Sequence, residues 1–86
     1  MNFGQALEEL KAGNKVAREG WNGNNLFIFL VPSCILQVKK PPLLGVYPKN
    51  TVINYLAHVD MKTAQEDIVP WNCSQADMLA EDWGVV

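Results

Sequence analysis

Two tryptophans sit in polar, turn-like settings, Trp21 among Gly20, Asn22 and Gly23, and Trp71 among Pro70, Asn72 and Ser74. A flat indole beside amide and hydroxyl groups suits a nucleobase, which stacks on the ring and offers its edge to Asn, Ser or Gln. Arg18, shortly before the first indole, supplies a charge for a phosphate. Trp71 precedes a helix start, where unpaired N–H groups and the positive dipole end favour an anion. Either tryptophan alone is more often a core residue or a hydrophobic staple, because large aromatics mostly pack. Two in such settings point to a small ligand that contains a base.

Other chemistries have weaker support. His58 and Asp60 lie two apart on a strand and so share a face, which makes them an acid–base pair for a small hydrolase, with Asp67 or Asp77 nearby. A single strand histidine is more often a hydrogen-bonded structural residue, and no Ser or Cys stands in a nucleophile elbow. Cys34, Cys73 and scattered carboxylates lack ligand spacing, so neither a metal nor a cofactor is expected, and both thiols read as free. Gly20 and Gly23 do not form a phosphate loop. A third reading uses the acidic residues Asp77, Glu81 and Asp82 as a face that docks on a partner protein.

Size and charge narrow the field. A chain of 86 residues is one domain, spanning 1–86, and buries only about 60% of its unfolded surface, which favours oligomers. The formal charge of −2 argues against long nucleic acid, whose affinity comes from clustered Lys and Arg. A small phosphorylated ligand needs only one or two cations with backbone N–H groups. No apolar run approaches the roughly 18 residues of a membrane span, and no secretory leader is evident, so a cytoplasmic protein without membrane contact is expected.

The elements that must position these residues follow from periodicity. Asn2 and Gln5 form a capping box ahead of the stripe Phe3, Ala6, Leu7, Leu10, and Gly13 closes that helix in a left-handed conformation. Residues 15–19 read as a strand, an Asn-Gly turn follows, and the unbroken apolar run 26–31 predicts a strand covered on both faces, by the helices and by a second subunit. Pro32 ends it. Residues 33–50, with Pro41, Pro42, Pro48 and the solvated pair Lys39-Lys40, form a variable connecting segment with a short strand at 34–38. Residues 51–63 read as one central strand, 68–69 as its antiparallel partner, and 84–86 as an edge strand. Ser74 caps a second helix, with the Asp77 carboxylate reaching back to the cap, and Ala76, Leu79, Ala80 and Trp83 give its buried face. The order predicts an α+β fold: a small antiparallel sheet of about four or five strands with two helices packed on one face.

Several of these blocks together resemble a small phage family: the opening helix, Lys15-Val16-Ala17-Arg18-Glu19-Gly20-Trp21-Asn22-Gly23, His58-Val59-Asp60-Met61-Lys62-Thr63-Ala64, Ile68-Val69-Pro70-Trp71 and the run 74–83. The family is the second Thoeris anti-defence family, and the resemblance covers nearly all of the chain outside 33–50. It implies a non-enzymatic homotetrameric sponge that sequesters glyco-cyclic ADP-ribose, the cyclic ADP-ribose-type signal made by a bacterial Toll/interleukin-1 receptor domain enzyme, before an effector is activated. Some relatives also bind cyclic dinucleotides at a separate site. Carried over by position, the resemblance implies Trp21, Asn22, Trp71, Ser74, Gln75 and Asp77 around the ligand, and Arg18 is added from its charge. The chain departs from the family pattern at Asn72-Cys73, and its Pro41-Pro42-Leu43-Leu44-Gly45 has no counterpart there. In this setting the alternative docking partner of the acidic face is a host defence enzyme.

Overall fold

The structure is a computed structural model and describes residues 1–21 and 25–86. Helix α1 (Phe3–Lys11) begins where Asn2 accepts the Gln5 backbone N–H and the Gln5 side chain returns to the Asn2 N–H. It ends in a complete Schellman motif: Asn14 N–H donates to Glu9 O and Gly13 N–H to Leu10 O, both at 3.0 Å, with Gly13 at φ 93°.

The main sheet has the order β6-β5-β2-β1-β7, all neighbours antiparallel. Its strands are β1 (Val16–Arg18), β2 (Phe27–Val31), β5 (His58–Lys62), β6 (Ile68–Pro70) and β7 (Trp83–Val85). Two further strands, β3 (Cys34–Gln37) and β4 (Val52–Tyr55), pair only with each other. Together with α1 and the short α2 (Gln75–Leu79) they complete the expected α+β fold.

Register sorts the side chains. Val85, Val16, Ile28, Met61 and Val69 are directly opposite one another and make one row across all five main strands. α1 packs on that face, burying Ala6 and Leu10 against Val16, Ile28 and Trp83. Each fully buried Leu, Ile or Val there contributes about 1.5–3 kcal/mol. The opposite face carries Phe27, Phe29, His58, Asp60 and Lys62 by alternation.

Three expectations change. Residues 51–63 are two strands in two sheets, not one central strand. Pro32 has no N–H to continue the β2–β5 ladder beyond Val31 and His58, so the chain separates at Pro32-Ser33 and Leu56-Ala57, and β3 and β4 continue outward as a separate arm. The second helix stops at Leu79, where Ala80 turns extended (ψ 151°). Trp83 therefore lies in β7 rather than on a helical face, and Leu79 is 77% exposed. Finally, Ser74 accepts the Asp77 N–H at 3.0 Å, but the Asp77 carboxylate does not return to the cap because it is bound to Arg18.

Candidate functional site

Trp83 is the hub of the site. It is 3% exposed, and its ring lies 5.5 Å from Phe3, 5.2 Å from Trp21 and 6.1 Å from Trp71. Both contacts to the other indoles are edge-to-face, with interplanar angles of 80° and 89°, the arrangement that matches a positive ring edge to a negative face. Its Nε1–H donates to the Asp77 carbonyl at 3.0 Å, which ties β7 to α2. The structure thus brings Trp21 and Trp71 to one aromatic cluster, on two sides of an indole that helical spacing had assigned elsewhere. The signal for Trp83 was its position before Gly84-Val85-Val86, where the chain resumes strand formers.

Beside this cluster Arg18 stands between two carboxylates. Its Nε donates to Asp82 Oδ1 and its Nη1 to Asp77 Oδ1, each at 2.8 Å. Asp82 also accepts the Gly20 N–H at 2.7 Å. Donation to Asp82 and then to Asp77 raises the Arg18 pKa, and the hydrogen bonds received from Arg18 and then from Gly20 hold the Asp82 carboxyl below the usual carboxylate range. A side chain at Gly20 would bring a Cβ to 3.0 Å from Asp82 Oδ2 and 3.2 Å from Arg18 Nη2, so both side-chain ends would have to give way slightly to admit it. Arg18 and its partners thus bind β1, the single 3-10 turn Glu19–Trp21, α2 and the start of β7 into one unit.

An open cleft of about 680 Å³ lies along this unit, within the range of small-molecule sites. Arg18, Trp21, Phe27, Lys62, Asp82 and Trp83 are among its walls. Of the residues expected at a ligand, Trp21 and Arg18 line the cleft. Trp71 is half-buried against Phe3 and Trp83, Ser74 and Gln75 are exposed at the start of α2, and Asp77 reaches the cleft only through Arg18. Asn22 lies outside the described residues. Lys15, Phe27, Lys62 and Asp82 were not expected there. Lys62 and Phe27 become neighbours only through the β2–β5 register, which sequence spacing does not specify.

The remaining candidates lie elsewhere. His58 Nδ1 is 3.0 Å from the Leu56 carbonyl and Nε2 is 3.5 Å from Asp60 Oδ2, at the junction of β4 and β5. Asp77 and Asp82 face Arg18, so the expected acidic face is neutralised internally except at exposed Glu81. Burial, and then Asp77, push the Cys73 thiol up, whereas Cys34 is exposed. Among the described residues no group of three or more His, Cys, Asp or Glu is arranged to hold a metal, and no helix is long and apolar enough to cross a membrane.

Comparison with known proteins matches the whole length of the chain. The family model of the Thoeris anti-defense 2-like domain matches residues 1–86. A curated relative described as "Thoeris anti-defense 2", from Bacillus phage SP01, is 44% identical over 86 residues, covering 100% of this chain and 94% of the relative.

Proposed function

Because the chain belongs to the Thoeris anti-defense 2 family, we propose that it binds the cyclic ADP-ribose-type signal, glyco-cyclic ADP-ribose, and withholds it from the defence effector. Family membership supports the coarser statement, a phage anti-defence role. The observation that carries the finer one is the cleft of about 680 Å³, with the Trp21 indole on one wall and cationic groups on others. An indole stacks a purine, the cations meet the diphosphate, and a cleft of this size takes one nucleotide-sized ligand.

The mechanism is sequestration. The ligand is held intact, and its free concentration falls below what the effector needs. Competition with an evolved receptor calls for roughly nanomolar affinity, about 12 kcal/mol. Trp21, Asn22, Trp71, Ser74, Gln75, Asp77 and Arg18 are the proposed ligand surroundings. Trp21 supplies the stacking surface, and Arg18 with Asp77 fixes the position of the cleft wall.

The working form in this reading is a homotetramer in the bacterial cytoplasm. Support comes from the arm formed by β3 and β4, where Ile35 is 69%, Val52 58% and Leu56 76% exposed. Large apolar side chains clustered in this way mark a contact surface.

The test is to load the purified protein with glyco-cyclic ADP-ribose, wash, denature and identify the released molecule by mass spectrometry, with cyclic dinucleotides in parallel. Recovery of the unaltered ligand, lost in Trp21→Ala with the oligomer intact, is expected. An altered product would make the protein an enzyme and direct attention to His58.

A further inference from the structure

The cation nearest the tryptophan in sequence is not the one best able to take a phosphate. Arg18 is matched by two carboxylates, Asp77 and Asp82, and an added anion would have to compete with both. The cleft carries two other cations, Lys15 and Lys62. Their ammonium nitrogens lie over one ring, that of Phe27, 5.1 and 5.6 Å from its centroid, so one aromatic group holds both cations at the cleft. Lys15 is exposed and, among the described residues, pairs with no carboxylate.

Lys62 is different. Its side chain is only 12% exposed, and Nζ donates to the Asn25 carbonyl at 2.8 Å, which fixes the ammonium at the cleft wall. Its one carboxylate partner is Glu66, 3.0 Å away, whose side chain is 74% exposed. Glu66 sits in the turn between β5 and β6 with φ 69°, outside the ladder. An exposed carboxylate of this kind is weakly held, since solvent screens the pair and ordering its side chain costs entropy. The ammonium, tied to the Asn25 carbonyl, is therefore the fixed half of the pair and the exposed carboxylate is the replaceable half.

We propose that Lys15 and Lys62 are the anion-accepting end of the cleft, holding the phosphate groups of a nucleotide whose base lies toward Trp21, and that Glu66 occupies Lys62 until the ligand displaces it. This rests on the nucleotide-binding reading above. A diphosphate brings more charge than one carboxylate and accepts from both ammonium groups at once, so exchange of Glu66 for phosphate favours the bound state.

The experiment is calorimetric titration of wild type, Lys15→Met, Lys62→Met, Lys62→Arg and Glu66→Gln with glyco-cyclic ADP-ribose at low and high salt. Methionine keeps the apolar stem of lysine, and circular dichroism confirms that each variant folds. Loss of one charge-assisted hydrogen bond predicts binding about 10- to 100-fold weaker in Lys62→Met, with a shallower salt dependence. Lys62→Arg should restore much of the affinity, and Glu66→Gln should tighten binding. Unchanged affinity and salt dependence in both methionine variants, with wild type still binding, would overturn the proposal and leave sequestration standing. If wild type binds no such signal, sequestration fails, and the anion site is then tested with inorganic diphosphate alone. Saturable shifts of the Lys15 and Lys62 side-chain NMR resonances would support it, and their absence would overturn it.

Discussion

At the scale of residues, the account rests on which charges are already satisfied. Asp82 has its folded pKa below the unfolded one because Arg18 and the Gly20 N–H favour the carboxylate. The stabilisation this gives is fully present above the unfolded carboxylate pKa of about 4 and is lost as pH falls through the depressed folded value. Urea midpoints measured against pH should therefore show wild type more stable than Asp82→Asn at neutral pH, with the gap closing in acid. A gap independent of pH would mean that the carboxylate charge contributes nothing. Trp83→Ala removes a 3% exposed indole and should cost about 3–5 kcal/mol, enough to unfold much of so small a domain. Differential alkylation separates the two thiols: Cys34 is exposed and should react first, while Cys73 is half-buried with its thiol pKa pushed up.

At the scale of elements, legibility followed local chemistry. The α1 start could be read because Asn2 and Gln5 interact within one turn, and its end because Gly13 alone tolerates φ 93°. Asn2→Ala should accordingly lower stability by about 1 kcal/mol, read as a shift in the urea midpoint. The second helix was overextended because Ala76, Leu79, Ala80 and Trp83 fit a helical period, while the forces that end it are not local. Asp82 is held by Arg18 and Gly20 on another element, and Trp83 joins β7. The division of 51–63 was hidden for a similar reason, since Pro32 imposes it from the neighbouring strand. Of the residues that line the cleft, two were marked in the sequence. Turn chemistry marked Trp21, and charge marked Arg18. Lys15 and Lys62 become partners only through Phe27, whose place beside Lys62 is a matter of strand register.

At the scale of the whole molecule, the chain is extended for its length. The radius of gyration is 15.9 Å with extents of 46 × 26 × 21 Å, whereas a compact chain of this length would have about 12 Å. β3 and β4 form a sheet separate from the main one, and a two-stranded sheet is marginal alone in water. Light scattering should give a homotetramer, and Ile35→Asp with Val52→Asp should dissociate it, because each puts a charge on an exposed apolar strand. A monomeric wild type would remove the oligomer from the account. The central claim is that the cleft beside Trp21 captures a cyclic ADP-ribose-type signal. Its most direct test is calorimetric titration of the wild-type protein with glyco-cyclic ADP-ribose. Saturable binding in the nanomolar range, abolished by Trp21→Ala, is expected, and absence of binding heat at micromolar protein would contradict capture by this cleft.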